Sequence, residues 1–180
     1  MAKPLVATGH FTGCFGCHMS ILDIDERILD LVEIVEFDKS PINDIKRFSR
    51  PVDIGLVEGG ISNDENVEFL RMFRENCKIL IAWGDCAVFG GINCMRNFMS
   101  VDEVLREGYV NTPSTVNPKG VIPGQDLPAL LPKAIPVDYA VKVDVHVPGC
   151  PPDADTILYV FSEILEGRMP KVPVDMMRYD

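Results

Sequence analysis

Short β-branched runs alternate with segments of helical period along most of this chain, and several of the runs are apolar at successive positions rather than at every second one. A strand that is apolar on both faces must be covered on both, which a parallel sheet between two layers of helices achieves. The runs predict strands over Lys3–Ala7, Val32–Phe37, Val52–Val57, Lys78–Trp83 and Val141–Val147. From about Ser20, Ile21, Ile24, Ile28 and Leu31 recur at helical spacing. Ser62 with Glu65 reads as a capping box ahead of Val67, Leu70, Phe73 and Cys77, which share one helix face. Ser100 with Glu103 reads as a second box, opening a short helix that Gly108 ends. After Pro151 and Pro152, the run Asp153–Glu166 forms a last helix closed by Gly167.

This succession predicts an α/β fold: a flavodoxin-like doubly wound parallel sheet of about five strands, in the order 2-1-3-4-5, within a single domain over 1–180. The stretch 109–136 departs from it. Prolines punctuate it from Pro113 to Pro136, and Val116, Val121, Ile122, Leu127, Leu130 and Leu131 follow no helical or strand period. An irregular stretch of this length inside a compact domain is functional or misassigned. Two readings stand for it: a subunit interface that packs over a partner, or an excursion packed on its own domain.

The net charge of −10 excludes wrapping a nucleic-acid backbone and lying on an anionic membrane, both of which need basic surface. No apolar run reaches the roughly 18 residues of a membrane-spanning helix, and Met1–Gly9 carries neither a twin-Arg signal nor a signal-peptide core. These features predict a cytoplasmic protein. In that compartment thiols stay reduced, so six cysteines point to metal or redox chemistry rather than disulfides.

Four of the cysteines fall at one kind of place. Cys14 and Cys17 follow the first predicted strand, Cys86 the fourth and Cys150 the fifth. In an open parallel sheet the carboxyl ends of the strands share one crevice, where ligands bind. Each loop also holds small or rigid residues: Gly13 and Gly16, Gly84 with Gly90 and Gly91, and Pro148-Gly149 with Pro151-Pro152. They allow backbone N–H groups to approach cluster sulfurs closely. Four thiolates also suit a structural zinc ion, but zinc sites favour two short cysteine pairs, and here one Cys-x-x-Cys stands with two distant singletons. The Cys-Pro step at Cys150 is common among iron-sulfur ligands. Cys77 lies on an apolar helix face and reads as core, while Cys94 competes with Cys86 as the third ligand.

Cys14-Phe15-Gly16-Cys17, Val57-Glu58-Gly59, Gly84-Asp85-Cys86-Ala87 with Gly90-Gly91, and Pro148-Gly149-Cys150-Pro151-Pro152 together resemble the small subunit of nickel-iron hydrogenases, in the short cytoplasmic form of the NAD-reducing enzymes. The resemblance spans nearly the whole chain. It implies a 4Fe-4S cluster on Cys14, Cys17, Cys86 and Cys150, next to a nickel-iron centre held by a partner large subunit. It also implies electron transfer from H2 to a diaphorase that reduces NAD, whose subunits carry further iron-sulfur clusters and FMN. Longer members of the family add clusters beyond the fourth cysteine and carry a twin-Arg signal. No cysteine follows Cys150 in this chain, so electrons are expected to leave through another subunit. Asp85 replaces a small residue expected beside the ligand.

Two other readings stay open. The related iron-sulfur subunit of respiratory complex I usually carries adjacent cysteines in its first motif, whereas His18 follows Cys17 in this chain. An FMN-binding flavodoxin-like module would need a phosphate turn, for which His10-Phe11-Thr12-Gly13 is the only approximation. Glu58, at the end of the third strand, reads either as a proton relay serving the partner's metal or as a solvated or capping carboxylate. His10 and His18 read as exposed loop histidines or as neighbours of the cluster, and His146 and Trp83 as structural.

Overall fold

A computed structural model describes residues 2–177, so the two ends of the expected 1–180 domain lie outside the described residues. Five parallel strands form one sheet: β1 (Leu5–His10), β2 (Glu36–Phe37), β3 (Val52–Glu58), β5 (Cys77–Trp83) and β7 (Val145–Val147), in the order β2-β1-β3-β5-β7. Counted along the chain, this is the predicted 2-1-3-4-5 order. Two further strands, β4 (Ile61–Asn63) and β6 (Leu130–Ile135), pair antiparallel outside it.

Alternation along each strand sends side chains to two cores. On one face Val6, Leu56, Ile81, Trp83 and Val147 pack with Ile21, Ile24, Leu31, Ile157, Val160 and Phe161. These come from α1 (Gly16–Leu22), the turn after it, α2 (Arg27–Ile34) and α6 (Ala154–Leu165). On the other face Leu5, Ala7, Val57, Leu80 and Ala82 pack with Leu70 and Phe73 of α3 (Asp64–Asn76) and with Ala87 of α4 (Asp85–Phe89). Each face thus carries its own buried apolar core, as a parallel sheet covered on both sides requires. No helix among the described residues is long and apolar enough to cross a membrane.

Several boundaries differ from the sequence reading. The first strand begins at Leu5 and runs on to His10. The helix expected from Ser20 starts earlier, at Gly16, and splits at 23–26, where Asp25 takes a left-handed conformation with φ 56°. Short polar side chains such as Asp compete with helical hydrogen bonds and tolerate that region. The predicted strand Val32–Phe37 is mostly helix, because Leu31 and Val35 are buried at helical spacing and leave only Glu36–Phe37 to pair with β1. Asn63 caps α3 in place of Ser62: its side chain accepts from the Asn66 N–H at 2.7 Å, while the Ser62 hydroxyl bonds Thr12. The predicted fifth strand pairs only over Val145–Val147, since Val141 and Val143 pack into the second core instead.

The Ser100–Glu103 capping box is present and opens α5 (Val101–Arg106). Gly108 does not end the helical path; it lies within a π turn over Glu107–Asn111. Beyond it, the proline-rich stretch is not wholly irregular, for β6 forms inside it. Pro132 is tolerated there because the strand has one partner only and an open edge. Val116 is 95% exposed, and Val121 and Leu127 are also exposed.

Candidate metal centre

The site is assembled by three loops at the carboxyl ends of β1, β5 and β7. The loop after β1 is stitched to the β3–β4 turn: Phe11 N–H donates to Glu58 O at 2.9 Å, Thr12 N–H to Gly60 O at 3.0 Å, and Gly60 N–H to Thr12 O at 2.8 Å. Gly59, with φ 86°, permits that approach, since a Cβ there would lie 2.8 Å from Phe11 C and Thr12 O. Cys14 thus stands ahead of α1 and Cys17 in its first turn. Cys86 lies in α4, directly after β5.

Asp85, unexpected at its position, joins the loops that carry Cys86 and Cys150. Its Oδ1 accepts from Gly149 N–H at 2.7 Å, and its own N–H donates to Gly149 O at 2.9 Å. From the far side the Ser20 hydroxyl donates to Pro152 O at 2.5 Å, which ties the Cys150 loop to α1.

Cys14, Cys17, Cys86 and Cys150 line one cavity of about 60 Å³, with Glu58 and Asp85 among its walls. Glycines leave room for the sulfurs. A Cβ on Gly84 would lie 2.2 Å from Cys17 Sγ, on Gly91 2.9 Å from Cys86 Sγ, and on Gly16 3.1 Å from Cys14 Sγ. Gly16 N–H donates to Cys14 Sγ at 3.4 Å. Among the described residues that line the cavity, none is cationic.

The electrostatics favour a cation between these sulfurs. Burial pushes the Cys17 thiol far above its ordinary range, and the neighbouring Glu58 carboxylate pushes it further. Burial also raises Cys86, against a backbone hydrogen bond from Ile92. Burial thus disfavours the bare thiolates, a form that a bound cation would stabilise. Four sulfur donors around a small, cation-free cavity fit an iron-sulfur cluster or a zinc ion.

Glu58 is neither solvated nor a helix cap. It is 2% exposed, and its Oε1 lies 2.8 Å from His10 Nδ1 and 2.7 Å from His18 Nδ1. The His10 contact is a hydrogen bond, whereas the short His18 Nδ1 approach lies outside hydrogen-bond geometry. Its Oε2 accepts from the His18 backbone N–H at 3.1 Å. Burial alone would raise its pKa, but the contacts from His10 and His18 outweigh it and hold the carboxyl at about 2.

Residues 14–164 match the family model described as NADH ubiquinone oxidoreductase, 20 Kd subunit. Over 180 residues the chain is 46% identical to the delta subunit of the NAD-reducing hydrogenase HoxS of Cupriavidus necator, covering 99% of this chain and 86% of that protein. The chain is a hydrogenase small subunit of this family. It is 42% identical over 173 residues to a subunit of the F420-non-reducing hydrogenase of Methanothermobacter marburgensis, covering 95% of this chain and 56% of that longer protein. A crystal structure of a NAD+-reducing NiFe-hydrogenase in the H2-reduced state superposes with a TM-score of 0.94 at 42% identity, over 99% of this chain and 100% of that one. The NiFeSe hydrogenase of Desulfomicrobium baculatum, at 18% identity and a TM-score of 0.60, shares the fold.

Within this hydrogenase small subunit the spare cysteines are accounted for. Cys94 does not line the cavity; its thiol donates to Ala134 O at 3.3 Å and lies against Gly90. Cys77 is buried in the second core, as its helix-face spacing suggested, although it opens β5 rather than closing α3. Trp83 is core and His146 is an exposed strand residue. In the flavodoxin-like turn the Phe11 and Thr12 amides already serve backbone carbonyls, leaving neither for a phosphate.

His18 is the residue that sequence reasoning misplaced. It is fully buried on α1 and bonded through Nε2 to Thr8 Oγ1 at 2.9 Å. Its spacing of three from Ile21, on a helix begun at Gly16 rather than Ser20, was the available signal.

Proposed function

We propose that this small subunit holds one 4Fe-4S cluster on Cys14, Cys17, Cys86 and Cys150. It conducts electrons in the cytoplasm between a nickel-iron centre on the large subunit and a diaphorase that reduces NAD. The observation that carries the reading is convergence: thiols from three separate loops meet at one small cavity whose walls supply no other cation. When bound, such a cluster takes up and releases one electron at a time, which divides a two-electron oxidation into single steps. The chain itself fixes the ligands. Gly16, Gly84 and Gly91 let backbone approach the sulfurs closely, the Gly16 N–H donates to Cys14 Sγ, and a backbone hydrogen bond from Ile92 opposes the burial that raises Cys86.

Glu58 with His10 forms a proton-relay contact reaching from the cavity wall to a ring that is 30% exposed. Full H2-oxidation rate in a Glu58→Gln holoenzyme would remove that role. The exposed Val116, Val121 and Leu127 of the proline-rich stretch form part of the partner interface. Deleting 109–129 while partner affinity stays native would reject it.

Oxygen-free purification of the full chain, with iron and sulfide counts and EPR after reduction, tests the central reading. About four iron and four sulfide per chain, with a reducible signal, are expected. A colourless preparation containing zinc, or one containing flavin without iron, would replace it.

A further inference from the structure

Phe15 stands between the two cysteines of the first motif with φ 69° and ψ 7°, the left-handed region that a residue bearing a Cβ avoids. Something must hold it there. Its ring lies flat on the His18 imidazole, with centroids 4.5 Å apart and 1° between the planes, and the edge of His10 closes on it at 5.1 Å.

The His18 ring is itself fixed from several sides. Nε2 meets Thr8 Oγ1 at 2.9 Å, and that hydroxyl is held by Ser40 Oγ at 2.6 Å. Nδ1 faces Glu58 Oε1 at 2.7 Å, and Trp83 meets the ring at 5.9 Å, nearly perpendicular. Thr8 belongs to β1, Glu58 to β3 and Trp83 to β5, so the ring is referenced to three buried strands of the sheet. Yet His18 does not line the cavity.

We infer that His18 is a positioning residue: pinned between β1 and β3, its ring clamps Phe15 in the left-handed conformation and thereby sets where the Cys14 and Cys17 thiols stand. The inference rests on the proposed cluster site. It assigns the first motif a support of five residues, Thr8, Phe15, His18, Ser40 and Glu58, of which only Phe15 and Glu58 touch the cavity.

Glycine adopts positive φ freely, which supplies a suppressor test on the full-length chain. Wild type, His18→Ala, Phe15→Gly and the double variant are compared by two readouts. One is the rate of iron loss to a chelator together with the EPR line shape of the reduced chain. The other is amide hydrogen exchange at 15–18 in the metal-free chain.

In His18→Ala, iron loss and exchange are expected to quicken about tenfold, the population equivalent of releasing a left-handed non-glycine residue, and the EPR line shape to change. Phe15→Gly in the same chain is expected to recover most of the loss. Wild-type exchange and line shape in His18→Ala, or a double variant no better than His18→Ala, would overturn the clamp. Should His18→Ala fail to fold, Thr8→Val removes the ring's far anchor together with the Ser40 contact, while Ser40→Ala removes that contact but leaves the anchor; exchange at 15–18 no faster in Thr8→Val than in Ser40→Ala overturns the clamp, and faster exchange supports it. A wild-type chain without iron would defeat the cluster reading, whereas the exchange readout decides the clamp independently.

Discussion

Gly84 is where the backbone and the proposed ligand set meet, and replacing it by alanine tests both. It closes β5 and opens α4 with φ 83° and ψ 150°, a region essentially reserved for glycine. Forcing alanine into it costs about 1–3 kcal/mol. The new Cβ would also lie 2.2 Å from Cys17 Sγ, whereas unstrained heavy-atom contacts lie at about 3.5–4.0 Å. The backbone cannot step aside cheaply, because Gly84 N–H donates to Val147 O at 2.8 Å and anchors β7. The sulfur must therefore retreat by more than about 1 Å, while metal-ligand distances hold to within about 0.2 Å. Adding about 1 kcal/mol for an off-rotamer Cys17 gives a total near 2–4 kcal/mol, less than the roughly 5–15 kcal/mol of a typical domain. Gly84→Ala should then stay folded, melt about 4–16 °C lower by circular dichroism, and lose most of its iron on oxygen-free purification. Wild-type iron content with an unchanged EPR spectrum would refute the argument, since Cys17 beside Gly84 would then not be a ligand.

Cys86→Ser should abolish iron binding while Cys94→Ser leaves the iron count unchanged, because the Cys94 thiol faces the Ala134 carbonyl rather than the cavity. The reverse result would exchange their roles. Gly108→Ala should leave stability unchanged or raise it by about 0.5–1 kcal/mol; nothing lies within 4 Å of a Cβ there, and a loss above that size would contradict the π turn as placed. Asp144→Asn should destabilise the fold by about 1–2 kcal/mol at pH 7 by weakening the 2.5 Å bond from Arg74. Burial alone would raise the Asp144 pKa, but the Leu80 N–H and Arg74 together hold it below its ordinary value. The stability it adds is therefore present above the unfolded carboxyl pKa of about 3.9 and lost as pH falls through the lower folded value. Denaturant midpoints of the two proteins should converge in acid, and a gap independent of pH would refute the assignment.

The parallel sheet was legible because β1, β3 and β5 are marked by apolar residues on both faces, a signal set by burial and so independent of detailed loop geometry. The convergence of four cysteines was legible for a related reason: Cys14, Cys17, Cys86 and Cys150 lie just beyond strand ends, and topology alone brings those ends to one rim. Features decided by single side-chain competitions were not legible. Asn63 and Ser62 are equally good caps in one dimension, and only the Thr12 hydroxyl, brought in from the first loop, removes Ser62 from the contest. Asp85 looked anomalous because its partner Gly149 lies far along the sequence. In 109–136 the prolines hid β6, whose pairing with β4 depends on contacts remote in sequence.

The buried polar residues explain why local reading failed nearest the site. Thr8, His18, Ser20, Ser40 and Glu58 all lie below the surface, where an unpaired hydroxyl, imidazole or carboxylate would cost more than a typical single contact returns. They are kept because each answers another: Ser40 with Thr8, Thr8 with His18, the His18 backbone N–H with Glu58, and Ser20 with the carbonyl beyond Cys150. A core that needed only cohesion would fill these places with Val, Leu or Ala, as it does at Val6, Leu56 and Ala7. That the polar exceptions join the loop of Cys14 and Cys17 to β1 and β3, and the Cys150 loop to α1, shows what they are for. They exchange interchangeable apolar packing for directional bonds, which fix backbone position more tightly than hydrophobic contact does.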